Sequence, residues 1–145
     1  MTDRVFLDTN ILVYAHDLDA GEKHEIAKDA VLELWESRSG IISTQVLQEF
    51  YITLTRKISP SLKKTEARRI LKSYFQWEFV INDAGTILQA SEIEENYSIS
   101  FWDALIVSAA FSKNAATILT EDLQHGQRVE GILIHNPFLR ELPEH

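Results

Sequence analysis

Four acidic residues of this chain stand where carboxylates can do chemistry. Asp8 follows the apolar run Val5-Phe6-Leu7, and Asp122 comes shortly after Thr117-Ile118-Leu119. Glu49 lies near the start of an amphipathic segment that follows Gly40-Ile41-Ile42-Ser43, and Asp103 begins an otherwise apolar segment that runs to Phe111. If the apolar runs are parallel neighbouring strands, Asp8 and Asp122 share one rim of a sheet, where open α/β folds bind their ligands. Carboxylates gathered there repel, at about 4 kcal/mol for a like-charge pair about 4 Å apart in an effective dielectric of about 20. Cations relieve that repulsion, and an oxygen-only donor set suits Mg²⁺ or Mn²⁺ rather than zinc or copper. Such a metal activates water, orients a phosphate and stabilises a leaving oxygen.

Each acid also has a plainer explanation. Asp8 or Thr9 can cap a helix that starts at about Asn10. Ser100-Phe101-Trp102-Asp103 has the capping-box spacing, with aspartate in the usual place of glutamate. Glu49 can be an ordinary solvated helix residue, and Glu121-Asp122 a solvated turn. Two other acidic-site chemistries meet a contrary residue. Haloacid-dehalogenase phosphatases need Asp-x-Asp at the first strand, and Asn10 stands in the third place here. A receiver domain needs a late lysine, and none follows Lys113.

The elements that must position these acids alternate. Val5–Leu7, Gly40–Ser43, Phe79–Ile81, Thr117–Leu119 and Ile132–Ile134 read as five short strands, because apolar residues run without a break between turn signals. Between them lie helical patterns: a short helix after Asp8, one from about Glu22 to Arg38, and one from Gln45 to about Ile58 that Thr44 can cap. Three more run from Thr65 to Phe75, from Asp83 to about Asn96, and from about Trp102 to Phe111. The last is apolar or small nearly all round, which marks a buried central helix. Strands alternating with helices imply a mostly parallel sheet covered on both faces.

The chain has 145 residues, 45% of them hydrophobic, enough for one domain (1–145) with a proper core. A formal net charge of -8 argues against a simple basic nucleic-acid-binding module, though not against a nuclease whose metals offset its carboxylates. The absence of cysteine excludes disulfides and thiolate zinc sites. No basic segment followed by an apolar stretch opens the chain, and no apolar run approaches the ~20 residues that span a bilayer. A cytoplasmic protein without a membrane role is the expectation. His16, His24 and His125 show no metal-ligand spacing and read as surface residues, whereas Tyr74, Phe75 and Trp77 read as core.

Taken in order, these residues resemble a PIN domain, and within that family the VapC-type ribonuclease toxins. Phe6-Leu7-Asp8-Thr9-Asn10-Ile11-Leu12 resembles the opening motif, Gln48-Glu49-Phe50 the second acidic position, Phe101-Trp102-Asp103-Ala104 the third and Leu119-Thr120-Glu121-Asp122 the fourth. The resemblance runs from about Val5 to Phe138. It implies a three-layer α/β/α sandwich with a mostly parallel five-stranded sheet, and Mg²⁺- or Mn²⁺-dependent endoribonuclease activity. It also implies a small protein antitoxin as partner, and a homodimer. Residue by residue, it makes Asp8 and Asp103 the main metal ligands, completed by Glu49 and Asp122. Asn10 and Thr120 become supporting polar groups. Because Glu121 and Asp122 are adjacent, either could point inward, and the family's threonine-any-aspartate spacing favours Asp122. The alternatives are a PIN nuclease of RNA processing without an antitoxin, and a catalytically silent PIN-like binding module.

An acidic protein still needs a surface for RNA. Arg56, Lys57, Lys63, Lys64, Arg68, Arg69 and Lys72 are seven of the 14 basic residues, with only Glu66 among them. They form either a solvated helix face or a phosphate-contacting rim, with Lys63, Lys64, Arg68 and Arg69 as the candidate contacts.

Overall fold

The computed structural model describes residues 3–139. Its centre is a sheet of strands β1 (Val5–Leu7), β2 (Gly40–Ser43), β3 (Glu78–Val80), β4 (Thr117–Leu119), β5 (Arg128–Val129) and β6 (Ile132–His135), in the order β3-β2-β1-β4-β6-β5. Five of these are parallel, in register Val5↔Gly40, Phe6↔Ile118 and Ile118↔Ile134. The sixth, β5, pairs antiparallel with β6. The sheet therefore has six strands rather than the five expected. Arg128–Val129 is too short to carry a hydrophobic pattern. Its turn is made by Glu130 and Gly131, both at positive φ, as a two-residue hairpin requires, but with a glutamate where Asn or Asp would have signalled it.

The strands carry apolar residues on both faces because both faces are covered. Phe6, Ile41, Ile42, Ile118 and Ile134 are all fully buried. Helices α1 (Thr9–His16), α2 (Glu22–Ser37), α3 (Thr44–Ile52) and α4 (Lys64–Tyr74) connect β1 to β2 to β3 on one side of the sheet. The chain then returns through α5 (Ala84–Tyr97) and α6 (Phe101–Ser112) to β4, on the other side of β1. Right-handed crossovers put these two helix groups on opposite faces, and α5 packs on α6 as α1 packs on α2 and α3. The strand order reverses between β1 and β4, so their carboxyl ends open a crevice at the sheet's rim. As its composition implied, α6 is buried from Ala104 to Ala110.

Local chemistry sets where the helices begin. Asp8, Ser43, Asp83 and Ser100 each accept a backbone N–H at the start of a helix. Ser43, not Thr44, therefore caps α3. That helix also ends sooner than its periodicity suggests. From Thr53 to Lys57 the backbone widens into a π-turn, closed by the Ile58 N–H on the Thr53 carbonyl at 3.1 Å. The hydroxyls of Thr53 and Thr55 donate to the carbonyls of Glu49 and Tyr51, four residues back, an arrangement that bends helices.

Four side chains lie differently from expectation. His24 is buried, with Nδ1 against the Tyr14 carbonyl at 2.9 Å. His16 is half-buried among aromatic rings and 2.7 Å from the Tyr74 hydroxyl, and burial pushes its pKa down to about 4. Phe75 is 55% exposed, because α4 ends just before it and turns it outward, while Tyr74 and Trp77 are core. His125 is half-buried and accepts the Asn136 N–H at its Nδ1.

Candidate functional site

The crevice at the β1–β4 rim is a cleft of about 560 Å³ whose lining includes Asp8, Glu49, Asp103 and Asp122. Four different elements deliver these acids. Asp8 directly follows β1, Asp122 lies in the turn after β4, Glu49 projects from α3, and Asp103 from the first turn of α6. The cap and the rim position of Asp8 are not alternatives. Its Oδ1 accepts the Thr9 N–H at 2.7 Å, while Oδ2 accepts the Thr120 hydroxyl at 2.8 Å. The Thr120 oxygen in turn accepts the Asp122 N–H at 3.0 Å, so a fully buried threonine ties the two aspartates together.

Asp8 is only 5% exposed. Burial raises its pKa to about 7, against the bonds from Thr120 and Thr9, which favour the ionised form, and with added repulsion from Asp122 and Glu49. Asp122 is also raised, by burial and by the charge of Asp103, with the Asn10 amide opposing. The acids thus interact as one electrostatic group. Glu49 is exposed and accepts the Thr9 hydroxyl at 2.7 Å. The Asp103 backbone N–H donates to Ser100 Oγ at 3.1 Å, one half of the capping box.

Glu121 faces elsewhere. It accepts the Tyr14 hydroxyl at 2.6 Å and pairs with Lys23 Nζ at 2.8 Å. Burial works to raise its pKa, but the Lys23 and Tyr14 bonds and the Lys23 charge outweigh it and hold the carboxyl below its ordinary range. Asn10 lines the cleft with both polar atoms of its carboxamide buried and unbonded. Lys63, Lys64, Arg68 and Arg69 are exposed at and along the start of α4 and do not line the cleft. Lys57, at the end of the π-turn, does.

Among the described residues, no three His, Asp and Glu side chains are drawn closely enough to hold one metal ion as they stand. The chemistry of the set nonetheless fits Mg²⁺ or Mn²⁺. Every charged donor is a carboxylate oxygen, the carboxylates destabilise one another, and the unbonded Asn10 carboxamide beside Asp122 leaves a neutral oxygen donor.

Of the basic run read as either a solvated face or a phosphate-contacting rim, Lys57 is the member that lines the cleft, and two further cleft residues, Gln45 and Trp102, escaped sequence reasoning. Gln45 is a lone amide at the start of α3, buried beside Val46, Leu47 and Phe50, and nothing local sets it apart. Trp102, by composition one more apolar residue of a buried helix, is 63% exposed in its first turn. The one available signal was its place directly before Asp103.

Residues 5–129 match the family model for the PIN domain. Comparison with curated proteins gives no match. Among solved structures, the chain is similar to a toxin–antitoxin complex from Klebsiella pneumoniae, at 19% identity and a TM-score of 0.68, over 92% of this chain and 98% of that one. It is similar to VapBC2 from Rickettsia felis, bound to a DNA fragment from their promoter, at 26% identity and a TM-score of 0.63, over 91% and 97%. It is also similar to VapC20 of Mycobacterium tuberculosis, a sarcin-ricin loop cleaving toxin, at 20% identity and a TM-score of 0.61, over 81% and 89%.

Proposed function

This chain belongs to the PIN domain family, and on that premise we propose that it is a metal-dependent endoribonuclease, the toxin of a toxin–antitoxin pair. The observation that carries the reading is the cleft, which four carboxylates from four elements line at the sheet's switch point. A scaffold that only bound a partner would have no reason to bury Asp8 beside Asp122 at this electrostatic cost.

In this reading Asp8 and Asp103 are the main ligands of Mg²⁺ or Mn²⁺, and Glu49 and Asp122 complete the pocket. Bound there, the ion supplies Lewis acidity for the phosphate and a lowered pKa for water. The protein's own groups do the rest. Thr9 N–H and the Thr120 hydroxyl favour the ionised form of Asp8 against its burial and fix its rotamer. Thr120 also fixes the backbone of Asp122, and Asn10, unbonded in the cleft beside it, is the polar group that would orient a carboxylate or water. In-line attack of water on phosphorus then leaves 5′-phosphate and 3′-hydroxyl ends. Lys57 on the cleft wall and the basic face of α4 beyond it provide phosphate contacts.

A protein antitoxin is the proposed partner, supported by similar structures that are themselves toxin–antitoxin complexes. A homodimer is supported by Ile87, Leu88 and Phe111, large apolar residues exposed on α5 and α6. No helix among the described residues is long and apolar enough to cross a membrane. The test is RNA cleavage by the purified protein with Mg²⁺ or Mn²⁺, the product ends mapped, and its suppression by the product of a small open reading frame beside the gene. Cleavage without any such inhibitor would leave a PIN nuclease of RNA processing, and no cleavage with any RNA or metal would leave a binding module.

A further inference from the structure

We propose that the acidic cleft carries a nucleobase subsite, in which the Trp102 indole stacks an unpaired base of the RNA and the Gln45 side-chain carbonyl accepts one of that base's N–H groups. The inference rests on the reading of the cleft as an RNA site. Trp102 directly precedes Asp103, lines the cleft with it, and is 63% exposed. Phe101 packs edge-on against the indole, ring centroids 5.5 Å apart, which braces the ring without covering it. A large aromatic left in water beside reacting groups is the feature that single-stranded nucleic-acid sites share, since every base has a π-face to stack.

Gln45 is a second and independent observation. It is 6% exposed and lines the same cleft from α3, across from α6. Its Nε2 donates to the Trp102 carbonyl at 3.3 Å. Only the amide nitrogen can make that bond, so the bond fixes the orientation of the group and leaves Oε1 as the free end. That oxygen is buried and has no partner. An unpaired buried acceptor is costly in a scaffold but useful where a ligand brings a donor.

Charge selects what part of the RNA sits here. Among four carboxylates a phosphate is repelled unless a cation intervenes, whereas a base is neutral, flat and rich in N–H donors. Val13, Ile52 and Ile106 give the cleft apolar walls as well. The base must be unpaired, because in a duplex both of its faces are covered.

The test is tryptophan fluorescence of the whole protein titrated with a six-nucleotide single-stranded RNA, with Ca²⁺ present to offset the carboxylates. Trp77 is buried and Trp35 half-buried, so the exposed Trp102 reports contact with the RNA. The expected result is quenching that disappears in Trp102→Phe, and affinity that falls roughly tenfold in Trp102→Ala. One position of the RNA, made abasic, should abolish the quenching, and Gln45→Met should weaken binding several-fold. Equal quenching by the fully abasic strand, or unchanged affinity in Trp102→Ala, would overturn the proposal. So would a Trp102→Ala protein that binds RNA normally but changes its oligomeric state, since the indole would then cover another protein. Unchanged affinity in Gln45→Met would overturn the acceptor role. Base-dependent quenching by a protein that cleaves no RNA would sink the nuclease reading and leave the subsite standing.

Discussion

The burial of Asp8 makes a quantitative forecast for Asp8→Asn in metal-free protein. The carboxyl has a pKa of about 7 in the fold against an ordinary value of 3.8. The native state therefore holds a proton between those two values that the unfolded chain gives up. The stability tied to that proton is fully present below about pH 3.8 and is lost as the pH rises through about 7. Three pH units at about 1.4 kcal/mol each make the whole loss about 4 kcal/mol, most of it felt by pH 8. Asparagine carries no charge to bury. Its Oδ1 can still accept the Thr9 N–H, but its Nδ2 meets a Thr120 oxygen already engaged by the Asp122 N–H, which costs about 1 kcal/mol. Above pH 7 the variant should exceed wild type by about 3 kcal/mol, and at pH 5 by less than about 1 kcal/mol. His16 has the opposite linkage: its pKa is lowered to about 4, so stability falls as the pH drops below its ordinary 6.5. That term is common to both proteins and cancels in their difference. Urea denaturation with chelator at pH 5 and pH 8 measures the gap. A gap that stays constant with pH, or a variant less stable than wild type at pH 8, would refute the reasoning.

Other perturbations separate the neighbouring parts. Asp122→Ala should reduce metal-dependent RNA cleavage at least about a hundredfold, and Glu121→Ala by about tenfold or less, because Glu121 only anchors the turn through Tyr14 and Lys23. The reverse order would mean that the wrong acid has been assigned. Replacing Lys63, Lys64, Arg68 and Arg69 with Gln should flatten the salt dependence of RNA binding. The slope should fall by up to about 0.7 log unit for each of these cations that neutralises a phosphate, and an unchanged slope would make the α4 face a solvated one. Gly40→Ala should destabilise by about 1–3 kcal/mol in the same urea assay, because an added Cβ would overlap the Trp77 ring; no change would mean that the ring can move aside.

Much of this molecule could be read from its sequence, because the relevant signals are local. The run Val5-Phe6-Leu7 ending at Asp8, and the Ser100 to Ala110 segment, declare a buried strand, a cap and a central helix through composition alone. The strand ends and the order of elements then bring the four acids to one rim. What escaped depends on partners distant in sequence or on fine backbone geometry. His16 is desolvated by Tyr74, 58 residues away, and no pattern around it records that ring. The π-turn at Thr53–Lys57, which ends in cleft-lining Lys57, arises from two threonines that periodicity treats as neutral. Trp102 illustrates the limit from the other side. Apolar composition counted it as core, yet it occupies a first helical turn that the rest of the fold leaves uncovered.

The central claim, that the cleft's carboxylates act together on a divalent cation, is tested most directly by calorimetric titration of Mn²⁺ into the metal-free protein. Wild type should bind Mn²⁺ in the millimolar range or tighter, Asp103→Ala and Asp122→Ala should lose that binding, and Glu121→Ala should keep it. A wild-type protein that takes up no Mn²⁺, or an Asp103→Ala protein that binds it equally well, would contradict the account.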